Sequence, residues 1–339
     1  MKKHIKISVF ISLLLLFAGC SAKKEALISG KTMGTTYHVK IVTGYFNSVS
    51  DLKEKIDDKL ENINKSMSTF IKDSEISKFN AFNHVEEKFY PSDDFFYIMT
   101  VACNLYELTN GAWDGTIKPL INLWGFGSSE TKKEIPARKK IDKLLAQTGF
   151  NYIGISEDKY LFKRNPLISI DFASIAKGYA VDQISALVRK NGIKDFLVEI
   201  GGEVFASGLR KDGKQWRVGI NAPKIYASFN QVWEIVALRD RALATSGDYR
   251  DFFEAEGNRY SHIIDPRTGC PVTNSVASVS IMADTCVFAD GLATAVMVLG
   301  HKKGLELVEK TSGVECLIVV EGKDGKLTNF YSRGFKNDK

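Results

Sequence analysis

Asp290 and Thr294 have the residue types and the spacing of a binding site for a hard cation. They lie four positions apart in a run of otherwise apolar and small residues, 286–299, so a helix there would carry both on one face. A buried carboxylate is costly unless it is paired or bound to a metal, and aspartate with hydroxyl or carbonyl oxygens suits magnesium. The alternative is that Asp290 faces solvent or caps a neighbouring segment. Asp284, the competing acidic ligand, is predicted to lie in a loop.

His262 is the candidate general base, because the ordinary pKa of histidine lies near neutral pH. It is one of five histidines, and it stands just before the sequence Asp-Pro-Arg-Thr-Gly at 265–269, which is typical of a tight turn. A histidine at the end of a strand is often only structural, and a turn explains the proline and the glycine without any chemistry. Both interpretations of His262 stay open from these residues alone.

A short apolar segment that runs into a helix provides a third candidate. Residues 167–170 are predicted to form a strand, and Asp171 is predicted to cap a helix that begins directly after it. Such a junction directs unpaired backbone N–H groups and the positive end of the helix towards whatever lies at the turn. Lys177 falls in the second helical turn, and Gly178 leaves room for a close approach. A capped helix with a solvated lysine is the alternative.

No common nucleotide-binding or hydrolase motif accompanies these residues. The sequence has no GxGxxG after a predicted strand, no GxxxxGK[ST] loop and no GxSxG elbow. The pair Gly201-Gly202 between two predicted strands indicates a turn or a bulge. The net charge of +6 includes Lys2, Lys3 and Lys6 of the leader, and no basic stripe with interleaved aromatic residues follows, so no nucleic-acid partner is expected.

The first twenty residues have the pattern of a bacterial lipoprotein leader. A basic start is followed by an apolar run to Ala18, which is too short for a membrane span, and Leu-Phe-Ala-Gly-Cys at 16–20 resembles a lipobox. We therefore expect a signal peptide over 1–19 and lipidation of Cys20. The lipid would anchor the protein to the bacterial cell membrane, facing the periplasm or the extracytoplasmic side. A plain secretory signal cleaved elsewhere is the alternative.

Four further cysteines have irregular spacing and no CxxC pair, which argues against a zinc site or a disulfide framework. Three of them, Cys103, Cys286 and Cys316, have apolar neighbours and are predicted to lie in the core. A single disulfide that involves Cys270 stays open.

The elements that must position these residues indicate one α+β domain with a largely antiparallel sheet flanked by helices. The 339 residues, 44% hydrophobic and 25% charged, are typical of a soluble globular protein. We expect a tether over 20–30 and a single domain over 31–335. Strands are predicted at 32–42, 196–199, 203–207, 216–220, 231–238, 242–246, 259–264, 275–283 and 315–320, a hairpin at 152–162, and helices at 51–67, 92–109, 141–148, 286–299 and 303–309.

Eight polar or glycine-containing blocks together resemble the ApbE family, the FAD:protein FMN transferases. The resemblance runs from Thr32 to about Gly300, and the blocks occur in the family's order. They are Thr-Met-Gly-Thr at 32–35, Met-Ser-Thr-Phe at 67–70 with Asp-Ser-Glu-Ile-Ser at 73–77 and Phe-Asn at 79–80, Asp114 to Gly127, Asp171 to Asp182 with Ile-Ala-Lys-Gly-Tyr-Ala-Val inside it, Ile-Gly-Gly at 200–202, Thr-Ser-Gly-Asp-Tyr at 245–249, Ser-His-Ile-Ile-Asp-Pro-Arg-Thr-Gly at 261–269 and Ala-Asp-Gly-Leu-Ala-Thr at 289–294.

The resemblance implies an ApbE-like fold, bound FAD as substrate and magnesium across the FAD pyrophosphate. It implies that a threonine or serine of an acceptor protein attacks the FMN-side phosphorus, which releases AMP and leaves FMN in phosphoester linkage. Carried over by position, the flavin nucleotide would contact Met33, Phe70, Ala112, Trp113 and Asp114, with Asp171, Lys177 and the backbone of Ile264 also at the site. Magnesium would be held by Asp290, Thr294 and the backbone carbonyl of Ser174, with His262 as the base.

Several positions depart from the family pattern. Ala173-Ser174 stands where the family usually has Ser-Gly or Ser-Ala, Gly115 replaces a proline or isoleucine, and Glu203 replaces an aspartate or asparagine. We hypothesise that bulky Phe70 shields the phosphates and favours transfer over hydrolysis. The expected acceptors are proteins of membrane or periplasmic redox systems. The rival interpretations are an FAD pyrophosphatase that uses water at the same site, and a flavin-binding lipoprotein without catalysis.

Overall fold

The computed structural model describes residues 23–44, 51–127, 132–224, 231–248 and 251–335. The predicted signal peptide and Cys20 lie outside these residues. At the centre is an eight-stranded sheet in which every neighbouring pair is antiparallel. In spatial order its strands are β1 (Lys24–Thr32), β2 (Thr35–Thr43), β5 (Asp195–Ile200), β6 (Glu203–Ser207), β9 (Arg241–Gly247), β14 (Val276–Ala283), β15 (Glu315–Glu321) and β16 (Leu327–Tyr331).

Helices and short hairpins surround this sheet. The α-helices are α1 (Leu52–Met67), α2 (Glu75–Ala81), α3 (Asp93–Leu108), α4 (Lys118–Leu123), α5 (Arg138–Leu145), α6 (Ala173–Lys190) and α7 (Cys286–Lys310), and Gly300 interrupts the last of them with non-helical angles. The additional strand pairs are β3 (Ile153–Ile155) with β4 (Leu161–Lys163), β7 (Trp216–Asn221) with β8 (Val232–Leu238), β10 (Phe252–Ala255) with β11 (Asn258–Ser261), and β12 (Ile264–Asp265) with β13 (Cys270–Pro271). The predicted fold class, α+β with a largely antiparallel sheet flanked by helices, is thus confirmed. Among the residues that the structure describes, none of the helices combines the length and the hydropathy that a transmembrane span requires.

The two faces of the sheet bury different partners. Phe205 belongs to a large core that also contains residues of α1, α3, α6 and α7, whereas its neighbours Val204 and Ala206 belong to a smaller core with Trp216 and Leu238. Successive side chains of a strand point to opposite faces, so the helices cover one face and the β7–β8 ribbon covers part of the other. The site residues described below lie on α6 and α7 and in the loops beside them.

Two predicted elements differ from the structure, and one observed strand was not predicted. The segment 167–170 forms no strand; instead, the Asn80 amide donates to the carbonyl of Ile170 at 2.9 Å and its oxygen accepts from the Ile170 N–H at 2.7 Å. Residues 259–264 do not extend the main sheet, because β11 pairs with β10 in a separate hairpin. The strand β16 was not predicted.

The tether predicted over 20–30 is wrong from Lys24 onwards. Strand β1 begins at Lys24 and pairs with β2 from the Lys24–Thr43 pair to the Thr32–Thr35 pair. The burial of its residues alternates only weakly, so no clear alternating pattern of apolar residues indicated a strand at this edge of the sheet.

Candidate active site

A cavity of about 510 Å³, here called the main cavity, brings together four of the predicted site residues: Met33, Phe70, Asp171 and Lys177. The other lining residues come from the turn between β1 and β2, from α1, from the loop after it and from the first turns of α6; they are Gly34, Asn64, Met67, Ser68, Thr69, Ala173 and Ala176.

The β1–β2 hairpin supplies the first wall of the main cavity. Met33 and Gly34 form its two-residue turn with φ of 49° and 72°, which is the positive-φ geometry of a tight antiparallel hairpin. Glycine accepts this conformation readily, while Met33 adopts it because the flanking strand pairs fix the turn. The turn therefore holds the thioether of Met33 at the cavity.

The loop between α1 and α2 supplies the rim. Phe70 is 81% exposed. Its loop is closed by hydrogen bonds from the Ser74 hydroxyl to the Ser68 carbonyl at 2.7 Å and from the Ser77 hydroxyl to the Ile71 carbonyl at 2.8 Å. The backbone beneath Phe70 is thus anchored, while its ring stands in solvent at the edge of the cavity.

Asp171 organises the junction before α6, although not as the cap residue itself. Phe172 occupies the N-cap position, and the Asp171 carboxylate accepts from the Ala173 N–H at 2.8 Å and from the Thr69 hydroxyl at 3.3 Å. The Asp171 N–H donates to the carbonyl of Gly115 at 2.8 Å. These contacts fix the start of α6, so the positive end of the helix faces the main cavity as its lining residues show.

Lys177 connects the main cavity to a buried acidic cluster, which consists of Lys177, Glu203 and Asp290. Its ammonium lies 3.0 Å from Glu203 Oε1 and 3.9 Å from Asp290 Oδ2. Asp290 also accepts from the Gly178 N–H at 3.0 Å. Burial raises the pKa of both carboxyl groups, and the Lys177 ammonium opposes that rise.

Close contact between α6 and α7 makes the Asp290 hydrogen bond possible. A Cβ atom at Gly178 would lie 2.4 Å from the carbonyl oxygen of Cys286, so only glycine fits at this crossing. At the same crossing Asp182 caps α7, accepting from the Cys286 N–H at 2.8 Å and the Val287 N–H at 2.9 Å. The expectation that Gly178 permits a close approach is confirmed.

Asp290 and Thr294 share one face of α7, as their spacing predicts. The Thr294 hydroxyl lies 3.1 Å from the Ser246 hydroxyl of β9 and 3.4 Å from the Asp290 carbonyl. Asp284, by contrast, lies outside the helix with an exposed side chain. The described residues contain no group of three or more histidine, cysteine or acidic side chains that could hold a metal. A carboxylate with neighbouring hydroxyl and carbonyl oxygens nevertheless fits magnesium, which uses few protein ligands and keeps several waters.

Ala112, Trp113 and Asp114 are buried and are not among the described residues that line the main cavity. The Trp113 indole donates to the Ser174 hydroxyl at 3.0 Å, which ties this segment to the first turn of α6. Asp114 accepts from the N–H and the hydroxyl of Thr116 at 2.8 and 2.7 Å, and burial raises its pKa to about 6. The segment therefore supports the site from its interior side.

His262 directly follows β11 and is held through the carbonyl of Asp251. That oxygen lies 3.0 Å from His262 Nδ1 and accepts from the His262 N–H at 3.1 Å. Burial lowers the pKa of His262, and the positive charges of Lys133 and Lys177 contribute to the lowering. Ile264 lies two residues further on in β12, where it is buried and pairs with Pro271. Neither residue is among those that line the main cavity in the described ranges.

Sequence reasoning did not assign roles to Asn80, Asp182, Ser246 and Glu203, all of which make long-range contacts at the site. Each lies inside or beside one of the eight blocks, which was the available signal. Ser246, Asn80 and Asp182 meet their partners 48, 90 and 104 positions away in the chain, and Glu203 meets Lys177, a pairing that no local pattern predicts. The four cysteines at 103, 270, 286 and 316 are free thiols, so the disulfide that the sequence left open is not formed.

The fold and the site define an α+β protein with a nucleotide-sized cavity beside a buried acidic cluster. Comparisons with known proteins identify the family to which such a protein belongs. The model of the ApbE family matches residues 33–318. A Vibrio cholerae protein named FAD:protein FMN transferase is 41% identical over 331 residues, which cover 97% of each chain, and a Haemophilus influenzae protein of the same name is 37% identical with 94% of each covered. The solved flavin transferase ApbE from Vibrio cholerae superposes with a TM-score of 0.85 at 39% identity, covering 94% of this chain and 100% of that one.

The chain belongs to the ApbE family. The resemblance read from the eight blocks is confirmed, and so is the predicted ApbE-like fold.

Proposed function

We propose that this protein is an FAD:protein FMN transferase, which moves FMN from FAD to a threonine or serine hydroxyl of an acceptor protein and releases AMP. Its family membership supports this reaction. The observation that carries the proposal is the position of Lys177, which lines the main cavity and also contacts the acidic cluster. A nucleotide in the cavity would thereby place its phosphates beside the candidate metal ligands.

The chain's own contribution to phosphate binding comes from α6. Ala173, Ala176 and Lys177 in its first turns line the main cavity. The start of a helix and an ammonium group both stabilise negative charge, and both are fixed before the substrate arrives. Asp171 and Thr69 hold the helix start in place. These groups would orient the pyrophosphate of FAD with the flavin towards Met33 and Phe70.

Magnesium fits the oxygen donors on α7 and α6. Asp290, Thr294 and the backbone carbonyl of Ser174 would hold it, and the hydrogen bond from Trp113 to the Ser174 side chain fixes the turn that carries this carbonyl. When bound, magnesium would neutralise charge on the pyrophosphate.

His262 is the proposed base. Because its Nδ1 pairs with a carbonyl oxygen, Nδ1 carries the proton in the neutral ring and Nε2 is left as the acceptor. The acceptor hydroxyl would lose its proton to Nε2 while its oxygen forms a bond to the FMN phosphorus. The bond from that phosphorus to the AMP oxygen breaks, and AMP leaves.

The leader supports a proposal on location. A signal peptide over 1–19, lipidation at Cys20 and attachment to the bacterial cell membrane would place the enzyme on the periplasmic or extracytoplasmic side. Its acceptors would then be proteins of membrane or periplasmic redox systems. Palmitate labelling of the full chain and of Cys20→Ala in bacterial cells tests this; equal labelling of the two chains excludes lipidation at Cys20.

The reaction is tested with the full chain in detergent, FAD, magnesium and candidate acceptor proteins that expose a threonine. We expect an FMN-sized mass gain on an acceptor and one AMP per transfer, both abolished by EDTA. His262→Ala should lower the transfer rate about 10²–10⁴-fold without loss of FAD binding, because only proton transfer is removed. FMN and AMP without acceptor labelling would indicate the pyrophosphatase, and intact bound FAD would leave only a binding protein.

The rate should also fall at low pH. Because burial lowers the pKa of His262, the neutral base persists to a lower pH than an ordinary histidine would allow. We therefore expect the acid limb of the rate profile to lie below the usual histidine range. An acid limb at or above that range would argue against His262 as the base.

A further inference from the structure

Glu203 is the first residue of β6 and was not among the predicted site residues. The residue is 3% exposed, and its Oε1 lies 3.0 Å from the Lys177 ammonium. The other oxygen, Oε2, is buried and has no hydrogen-bond partner among the residues that the structure describes. Burying a carboxylate costs free energy, and here the ion pair with Lys177 must offset that cost.

Lys177 has two carboxylates within reach and is closer to one of them. Its ammonium is 3.0 Å from Glu203 but 3.9 Å from Asp290 Oδ2. The first distance is that of a hydrogen-bonded ion pair, while the second is outside hydrogen-bond range. Asp290 therefore keeps an oxygen that the lysine does not hold tightly.

The geometry around Glu203 is fixed by the turn before it. Gly201 and Gly202 have φ of 62° and 107°, and the Gly202 N–H donates to the Glu199 carboxylate at 2.7 Å. A Cβ atom at Gly201 would lie 3.2 Å from Cδ of Lys177, so the turn leaves a channel for the lysine stem. The pairing of Glu203 with Ile200 then holds its backbone in the main sheet.

A divalent cation and the Lys177 ammonium would compete for the Asp290 carboxylate. Two positive charges beside one buried carboxylate oxygen repel each other strongly. If the Lys177 ammonium moved from 3.9 Å to hydrogen-bond distance of Asp290 Oδ2, it would therefore weaken binding of the cation. Glu203 offers the lysine a carboxylate of its own.

We infer that Glu203 is a positioning residue that holds the Lys177 ammonium away from Asp290 and thereby sets the affinity of the divalent-cation site. The inference rests on the proposed cation site at Asp290 and Thr294. It predicts that Glu203→Gln binds a divalent cation more weakly than the unaltered chain, because the freed lysine pairs with Asp290. It also predicts that Lys177→Gln binds the cation more tightly.

The same loss in Glu203→Gln would follow if the glutamate attracted the cation directly by its charge. The double variant Glu203→Gln with Lys177→Gln separates the two explanations, because a double-mutant cycle isolates the coupling between contacting residues. If Glu203 acts through Lys177, the double variant binds at least as tightly as the unaltered chain. If it acts by its own charge, the glutamine weakens binding by the same factor whether or not the lysine is present.

The experiment titrates Mn²⁺ into the full chain in detergent at pH 8 without FAD and measures free Mn²⁺ by electron paramagnetic resonance. We expect Glu203→Gln to weaken binding about tenfold or more, as electrostatics at this distance allow. Glu203→Asp, which keeps the charge, should also weaken it. Glu306→Gln, which removes an exposed carboxylate paired with Lys310 on the last turns of α7, is the matched control and should bind as the unaltered chain does.

Circular dichroism and the melting temperature show whether each variant is folded, and Glu203→Asp provides the test if Glu203→Gln is not. Equal Mn²⁺ affinity of the unaltered chain and a folded Glu203 variant overturns the inference, as does weaker binding by Lys177→Gln. If the unaltered chain binds no Mn²⁺, both the cation site and the inference fall. If Mn²⁺ binds and the double variant binds at least as tightly as the unaltered chain, but no acceptor is labelled, the inference stands while the transferase proposal fails.

Discussion

The main cavity and the acidic cluster share Lys177 but are built in opposite ways. Phe70 at the rim of the cavity is 81% exposed, whereas Glu203 and Asp290 are each 3% exposed. Loops and a hairpin turn form much of the cavity, while the cluster lies between two crossing helices and the sheet. A substrate must enter and leave the cavity, and the cluster must keep charged groups in fixed positions out of water. Changes in the two regions should therefore have different consequences.

The largest effect is expected for Asp290→Ala. It removes the only proposed carboxylate ligand, so FMN transfer should fall by about 10²–10³ and Mn²⁺ binding should be lost. The melting temperature should fall only modestly: the Gly178 N–H loses its acceptor, but a costly buried carboxylate is removed and Lys177 keeps Glu203 as its partner. The measurements are AMP release, acceptor mass and a thermal melt, with exposed Asp284→Ala as the control. Normal transfer by a folded Asp290→Ala would remove the metal role.

Asp182→Ala tests whether the helix crossing beneath the cluster depends on a distant cap. The change leaves the N–H groups of Cys286 and Val287 without their acceptor, so the free energy of unfolding should fall by about 2 kcal/mol. Urea unfolding measures it. The control is Asp324→Ala, which removes the acceptor of a single N–H group, that of Lys326, in an exposed turn. This change should lower the free energy of unfolding clearly less than Asp182→Ala does. Equal losses would mean that burial adds nothing to the Asp182 cap.

Asp114→Asn tests the buried segment behind the site through its pH dependence. Burial raises the pKa of Asp114 to about 6, above its value in the unfolded chain. The folded state therefore binds the proton of Asp114 more tightly than the unfolded state does. The stability that this proton contributes is lost as pH rises from about 4 to about 6. The amide does not titrate. Relative to the unaltered protein, the variant should therefore gain about 2 kcal/mol between pH 4.5 and pH 7, as measured by urea unfolding. A constant difference across this range would show that Asp114 titrates normally.

The smallest effect on stability, less than about 0.5 kcal/mol, is expected for Phe70→Asn because its ring is 81% exposed. The change should instead alter the fate of FAD. If the ring shields the phosphates from water, its loss should raise FMN and AMP formation without an acceptor several-fold. Phe82→Asn, at the end of α2, is a control away from the cavity lining. No rise in hydrolysis in Phe70→Asn would contradict the shielding hypothesis.

Local patterns predicted the elements whose stability is mostly local. The helix predicted over 51–67 corresponds to α1, and the helix predicted over 92–109 corresponds to α3, after which Asn110 and Gly111 have positive φ values. The prediction that Asp290 and Thr294 share one helix face was also correct, because the geometry of a helix places residues four positions apart on the same side. The eight blocks identified the family, since their order along the chain is itself information in the sequence.

Tertiary structure decided the rest, because the deciding partners lie far away in the chain. The segment at 167–170 looks like a strand, but the Asn80 side chain, 90 positions away from Ile170, takes the hydrogen bonds that a neighbouring strand would otherwise take. The segment after Lys24 looks like a tether, but pairing with β2 makes it a strand. Glu203 has no local pattern that marks it. Its meeting with Lys177 depends on how β6 packs against α6, and only the folded chain brings a buried carboxylate to that lysine.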